Sequence, residues 1–185
     1  SAASDVYKRQ SLAGDVHTPV SSLIKLEKES YTFLFESVEK GSQKGRYSVI
    51  GLKPDLIWEC RNNNCKVTDK TLKKNYYENN ISPLNSLRNL IKSNKLKIPN
   101  QIPSISSGLF GYMGYEMIQY FEKVILSKKN NLELPDSIFI RPSMTLVFDN
   151  VNDKLFITRT VFPNGKDPVQ SFNKAKKDIV NLTKK

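Results

Sequence analysis

The sequence is poor in the residues that build metal centres and disulfide frameworks. Its 185 residues include one histidine, His17, and two cysteines, Cys60 and Cys65. A single histidine cannot supply a two-histidine metal site, and none lies near the cysteines to complete a zinc cluster. Two cysteines are also too few for a secreted disulfide scaffold, so we expect reduced thiols in a cytoplasmic protein.

Long apolar runs are absent as well. No segment approaches the roughly 18 to 20 continuous apolar residues that a membrane-spanning helix requires, and no charged start leads into an apolar signal segment. We therefore predict no membrane partner. Residues 1–10 show neither strand alternation nor a helical stripe, so we interpret them as a non-native leader and residues 11–185 as one domain.

Basic residues are in excess, which raises the question of a nucleic-acid partner. The chain has 29 Lys and Arg against 18 Asp and Glu, a formal charge of +11. Only six of the basic residues are arginine, whose planar guanidinium suits phosphates and base edges. The lysines are scattered, with no run longer than two. We therefore predict no nucleic-acid partner.

Alternating apolar residues and turn signals predict a sheet-rich domain. Three asparagines at 62–64, which tolerate left-handed backbone, predict a hairpin turn, and residues 150–153 predict another. Residues 39–45 are interpreted as a turn, and Pro54 as the end of a strand. Strands are predicted at 31–38, 46–52, 56–61, 65–69, 143–149 and 154–162, with a strand or single turn at 23–26.

Apolar residues at helical spacing predict three helices. One begins at Ser82 and Pro83 and runs to about Lys95, and a short one begins near Met117. The last begins at Asp167 and carries an apolar stripe formed by Val169, Phe172, Ala175, Ile179 and Leu182. Antiparallel strand pairs with inserted helices predict an α+β fold on an antiparallel or mixed sheet, rather than a doubly wound nucleotide fold.

The search for catalytic groups returns mostly exclusions. His17 alone cannot form a histidine-based triad, and we interpret it as a surface residue. The glycines at 108, 111 and 114 are spaced Gly-x-x-Gly-x-x-Gly, which is not a dinucleotide-binding pattern. Large apolar residues lie between them, so a close contact between sheet and helix is favoured over a ligand contact.

One strand end carries groups suited to an amino-acid ligand. The apolar run 33–35 ends in Glu36 and Ser37, where the chain must turn. The carboxylate can accept a hydrogen bond from a ligand amine, and the hydroxyl can donate to a ligand carboxylate. The alternative is that both satisfy backbone amides of the turn, and that Arg46 pairs with Glu36.

Several ordered blocks resemble one family. Residues 18–20 (TPV), 33–39 (FLFESVE) and 45–51 (GRYSVIG) resemble the first blocks of anthranilate synthase component I. Residues 108–116 (GLFGYMGYE), 134–136 (LPD) and 141–149 follow in the same order, so the resemblance runs from about residue 15 to the end. The sequence departs from the family at Phe35, where leucine is usual, and at Glu116, where aspartate is common.

This resemblance implies that residues 11–185 are the N-terminal regulatory domain of a longer enzyme. The chorismate-binding domain, with the catalytic residues and magnesium ligands, would follow, so the fragment alone would be inactive and would hold no cofactor. The implied partners are that C-terminal domain, a glutamine amidotransferase subunit (component II) and the inhibitor L-tryptophan. The terminal helix would run toward the missing domain.

The resemblance also identifies site residues. Ser37 corresponds to the best-attested tryptophan contact in this region, Glu36 comes next, and Arg46, Tyr47 and Ser48 would line the same pocket beside Phe35. The paralogue aminodeoxychorismate synthase component I, of the folate pathway, shares these blocks and stays an alternative. A stand-alone amino-acid-binding module is a third interpretation.

Overall fold

The computed structural model describes residues 6–13, 17–26, 30–38, 44–126, 132–162 and 167–184. Every strand pair with a described register is antiparallel, and helices are inserted between strands, so the predicted α+β class is confirmed. The strands are β1 (Val6–Ala13), β2 (Phe33–Val38), β3 (Lys44–Arg61), β4 (Asn64–Asp69), β5 (Lys74–Glu78), β6 (Phe110–Met113), β7 (Ser137–Asp149) and β8 (Lys154–Val161). The helices are α1 (Pro19–Leu26), α2 (Pro83–Ser93) and α3 (Pro168–Leu182), with 3-10 turns at Ser104–Ser106 and Tyr115–Tyr120.

The chain divides into two compact units. The first unit comprises the described residues of 1–54, 96–107 and 142–185, and the second comprises those of 55–95 and 108–141. The long strands β3 and β7 contribute residues to both units.

The first unit is a sheet covered by helices. β1 pairs with β8, β8 pairs with β7, and β2 pairs with β3. Its core is aliphatic apart from one methionine and one phenylalanine, and comprises Leu26, Ile50, Leu52, Met144, Leu146, Phe148, Leu155, Ile157 and Ile179. Burying such side chains contributes about 1.5–3 kcal/mol each, which fixes the face on which α1 and α3 pack.

The second unit is built on the hairpin of β3 and β4. Its turn has Asn62 and Asn63 at φ of 47° and 66°, the left-handed values predicted for these asparagines. β5 pairs with β4, and β6 pairs with the start of β7. The buried core comprises Leu56, Trp58, Cys60, Cys65, Val67, Leu87, Leu90 and Met117.

The predictions for α2, both hairpins and the helical character of α3 are confirmed. Ser82 caps α2 by accepting a hydrogen bond from Asn85 N, with Pro83 at the first position. The turn at 150–153 joins β7 to β8. The turn predicted at 39–45 lies largely outside the described residues, which resume at Lys44.

Several predicted elements were wrong. Residues 23–26 belong to the helix α1. Thr18, which precedes the helix, accepts a hydrogen bond from Ser21 N through its hydroxyl, and its own N–H donates to Ser21 Oγ. β3 continues through Pro54, where Lys53 has a φ of 49° and its carbonyl accepts a hydrogen bond from Ser143 Oγ at 2.5 Å. The bend lets the strand pass the proline, so Pro54 does not end it.

The ends of the chain also differ from expectation. Residues 6–10 are part of β1, where Gln10 lies opposite Ile157, so excluding them from the fold was wrong. In α3, Ala175 and Ile179 are 2% exposed, and Ile179 belongs to the first unit's core. This part of the apolar stripe is therefore covered within the chain and does not need a missing domain to bury it.

Candidate functional site

The end of β2 and the facing part of β3 carry the residues predicted to bind an amino acid. Phe35 lies opposite Val49, and Glu36 lies opposite Ser48. Side chains alternate along a strand, so Glu36 and Ser48 follow Leu34 and Ile50 on the face of the first unit's core. Phe33 and Phe35 lie on the other face.

The opposite face carries an aromatic pair. The ring centroids of Phe33 and Phe35 are 5.0 Å apart and the rings are tilted by 41°. Gly51 makes room for this pair, because a Cβ at that position would come within 2.1 Å of a Phe33 ring carbon. Phe35 remains 46% exposed, so the pair offers an apolar surface to a ligand.

Ser37 lies at a break in the pairing. The register of β2 on β3 shifts between Glu36 and Val38, and such irregularities re-aim side chains. The Ser37 hydroxyl lies over Gly45, where an added Cβ would be 2.0 Å from Ser37 Oγ. Glu36 and Ser37 are exposed, whereas Ser48 is buried. Strand geometry thus separates Ser48 from solvent but leaves the acid and the hydroxyl accessible.

Arg46 is engaged by a neighbour that the sequence reading did not identify. Its Nη2 lies 3.6 Å from Asp149 Oδ2, and its guanidinium carbon lies 4.8 Å from the centroid of the Tyr47 ring. The alternative in which Arg46 pairs with Glu36 is therefore replaced by a pair with Asp149. Arg46 is 57% exposed, so its outer face remains open to a ligand.

The end of β7 fixes the backbone of this site. Asn150 N donates to Arg46 O and Asn150 Nδ2 donates to Gly45 O, both at 2.8 Å. Burial raises the pKa of Asp149, but hydrogen bonds from Asn152 and Val151, with the Arg46 charge, outweigh it, so the pKa lies below 3.8. Asp149 is therefore anionic near neutral pH.

The structure thus brings all six predicted site residues onto one strand pair. Phe35, Glu36 and Ser37 lie on β2, and Arg46, Tyr47 and Ser48 lie on β3. Sequence reasoning missed Gly45, Gly51 and Asn150. Glycine inside a strand is a signal of close approach that could have identified the first two, whereas Asn150 lies about a hundred residues away in a turn and gave no local signal.

The glycine-rich block of the second unit serves packing. A Cβ at Gly111 would come within 1.8 Å of the carbonyl oxygen of Ile138, because β6 lies directly against β7. A close contact was predicted, but the sequence reading placed it between sheet and helix, and the structure places it between two strands. The short helix predicted near Met117 is present as a 3-10 helix over Tyr115–Tyr120.

The two cysteines are core residues. Cys60 and Cys65 lie opposite each other on β3 and β4, both are 0% exposed, and both are free thiols. A hydrogen bond with Cys65 and burial raise the pKa of the Cys60 thiol, so it stays protonated. We therefore assign no nucleophilic role to Cys60.

The described part of the chain offers no metal centre or membrane span. No three His, Cys, Asp or Glu side chains among these residues are grouped so as to hold a metal ion. No helix within the same residues is long and apolar enough to cross a membrane.

Comparison with known proteins identifies relatives over most of the chain. Anthranilate synthase component 1 of Cereibacter sphaeroides is 39% identical over 155 residues, which is 82% of this chain and 31% of that protein. The protein of the same name from Acetivibrio thermocellus is 30% identical over 152 residues, 82% of this chain and 30% of that protein. No family model matches the sequence.

A solved structure shares the fold. Anthranilate synthase component I from Streptococcus pneumoniae superposes with a TM-score of 0.59 at 19% identity, covering 93% of this chain and 36% of that one. The chain therefore spans about a third of the length of the relatives it matches.

Proposed function

Since the chain belongs with the anthranilate synthase component I proteins in sequence and in fold, we propose that it is the N-terminal regulatory part of such an enzyme. The enzyme would convert chorismate and glutamine or ammonia into anthranilate and pyruvate, the first step of tryptophan biosynthesis. The sequence identity of 39% over 155 residues with the Cereibacter sphaeroides protein carries this proposal. The catalytic residues and magnesium ligands would lie in the part of the protein outside this chain.

The proposed role of the β2–β3 site is to hold the inhibitor L-tryptophan. Phe33 and Phe35 supply an apolar surface for an indole ring. By strand alternation the Ser37 hydroxyl follows Phe33 and Phe35 and can donate to the ligand carboxylate. The Glu36 carboxylate lies on the other face of β2 but is exposed at the strand end, where it would accept hydrogen bonds from the ligand ammonium group. Arg46, with its exposed guanidinium, supplies a second group for the carboxylate.

Inhibition requires more than binding. A ligand shifts a conformational equilibrium only by its difference in affinity for the two states. Ser37 lies directly over Gly45, and Asn150 holds the Gly45 carbonyl, so a ligand that moves Ser37 acts on the β3 backbone and the β7 turn. We propose that the conformation that binds L-tryptophan more tightly is the less active one, so that the ligand inhibits by increasing its population.

Component II, a glutamine amidotransferase subunit, is the partner that the names of the relatives imply. The paralogue aminodeoxychorismate synthase component I is the competing assignment. The relatives reported above are all named anthranilate synthase, which favours the first. Product analysis with chorismate and ammonia separates the two, because only one of the enzymes releases anthranilate and pyruvate.

Titration of the full-length protein with L-tryptophan by calorimetry tests the site. We expect Ser37→Ala to weaken binding about tenfold or more, since a hydrogen bond to a charged group contributes about 1.5–3 kcal/mol. Ser37→Phe should abolish inhibition, because the larger side chain fills the site. Activity without tryptophan should be unchanged in both variants.

Ser104→Ala is the matched control, since Ser104 is another exposed serine of the first unit. It should leave the affinity for tryptophan unchanged. The same affinity and the same inhibition in wild type, Ser37→Ala and Ser37→Phe would refute the site assignment, whether or not the protein makes anthranilate.

A further inference from the structure

Exposed apolar side chains are concentrated in one part of the second unit. Tyr112, Tyr115 and Leu134 are 42%, 73% and 54% exposed. We call these three residues the β6 surface. Met113 is also 45% exposed, but it follows Tyr112 directly along β6 and therefore lies on the opposite face. Monomeric proteins rarely leave large apolar side chains clustered in water unless the cluster binds something.

The three residues belong to two segments that run side by side. Tyr112 Oη donates to Pro135 O at 2.9 Å, and Gly114 N donates to Asp136 O at 2.8 Å. Tyr112 lies opposite Ile138 in the pairing of β6 with β7. The residues are therefore neighbours in space as well as in sequence.

The chain around this surface has the composition of an interface. Further exposed apolar side chains follow in the same part of the unit, namely Phe121, Val124, Ile125 and Leu132. Glu116, Glu122 and Glu133 are exposed residues interspersed among them. Tyrosine and methionine enriched in the centre, with charged groups at the rim, distinguish interfaces from ordinary surface.

Another candidate for an interdomain contact, the apolar stripe of α3, is covered over its central and C-terminal part, although Val169 at its start is 65% exposed. Ala175 and Ile179 are buried within the first unit, and Leu182 packs against its core. At the same time the chain spans only 31% of its Cereibacter relative and 36% of the Streptococcus pneumoniae chain. A large part of such a protein must therefore be accommodated by some other surface.

We infer that the β6 surface is the docking site for the part of the full-length protein that lies outside this chain. The inference rests on the proposed function, because it takes this chain as part of a longer enzyme. It assigns the exposed tyrosines of the GYMGYE segment to an intramolecular interface, with their rings packed against the following domain.

Thiol labelling of the full-length protein, purified without component II, tests this directly. Tyr115→Cys places a thiol in the β6 surface, and Leu72→Cys places one at a 53% exposed position of the same unit outside it. The native cysteines are 0% exposed and give a slow background. Iodoacetamide labelling is followed at each site by mass spectrometry of peptides, in buffer and in urea.

We expect the thiol at position 115 to react at least about tenfold more slowly than the one at position 72 in buffer, and equally fast in urea. Leu134→Cys repeats the test if Tyr115→Cys does not fold. Equal rates in buffer would overturn the inference. Protection that is lost on dilution would also overturn it, because it would show that a second copy covers the surface. Protection that appears only when component II is added would overturn it as well.

Anthranilate formation from chorismate and ammonia is measured on the same samples. Protection without any anthranilate formation leaves the docking site standing and contradicts the proposed enzyme. Anthranilate formation with equal labelling rates supports the proposed enzyme and contradicts the docking site. The two failures are therefore distinguishable.

Discussion

Two strand pairs in this chain close tightly around a glycine, and they do so in different ways. In the first unit, a Cβ at Gly51 would come within 2.1 Å of the Phe33 ring. In the second unit, a Cβ at Gly111 would come within 1.8 Å of the carbonyl oxygen of Ile138. The first glycine faces a side chain, and the second faces the main chain.

The difference separates an adjustable contact from a fixed one. A phenylalanine ring can rotate away or make room for a ligand, whereas the Ile138 carbonyl belongs to the backbone of β7, on which β6 is paired. The adjustable pair is the one that carries Glu36 and Ser37. The fixed contact belongs to the glycine-rich block at 108–114, which of the two looks more like a ligand-binding loop in the sequence.

The largest expected effect follows from the fixed contact. Gly111→Ala should lower the free energy of unfolding by about 3 kcal/mol or more, because the added carbon overlaps backbone that cannot move without breaking the pairing. Urea unfolding followed by circular dichroism measures it. Met113→Ala, on the same strand but 45% exposed, should cost less than about 1 kcal/mol. Similar losses in both variants would show that β6 and β7 separate easily.

Features set by neighbouring residues were predictable from the sequence. The cap at Ser82, the proline at position 83 and the left-handed asparagines of the β3–β4 turn each act within a few residues. For the site, local chemistry suggested an amino-acid ligand at Glu36 and Ser37, and the family resemblance ranked Ser37 first and added Arg46 to Ser48.

Features set by distant partners were not predictable. β1 is paired with β8, with Val6 opposite Val161, and nothing near Val6 signals that partner. β5 was missed because its side chains are mostly exposed and polar, and it is a strand because β4 offers it an edge. The pair of Arg46 with Asp149 likewise joins residues a hundred positions apart.

The second expected effect tests whether the contact at Gly51 is adjustable. Gly51→Ala should cost about 1–3 kcal/mol, the usual range for overpacking. Phe33→Leu removes the ring and should recover a large part of that loss in the double variant, so the two changes are not additive. Denaturant unfolding of the four combinations measures the coupling.

Gly111→Ala combined with Phe33→Leu is the control cycle. These two changes lie in different units, so their free-energy losses should add within about 0.5 kcal/mol. If Gly51→Ala and Phe33→Leu also add, the ring is not what limits the space at Gly51, and the distinction between the two glycines fails.

The smallest expected effect concerns acid sensitivity, which should differ between the two contacts. The folded pKa of Asp149 lies below 3.8, so its carboxylate stabilises the end of β3 above that pH. The stabilisation is lost as the pH falls through the folded pKa, where the carboxylate takes up a proton. The Asp149→Asn variant should therefore be less stable than wild type near pH 6, and this difference in the free energy of unfolding should narrow as the pH falls below the ordinary aspartate pKa. The loss caused by Gly111→Ala involves no titrating group and should be the same at both pH values. If the difference in the free energy of unfolding between wild type and Asp149→Asn stays constant with pH, the Arg46–Asp149 pair does not stabilise the end of β3.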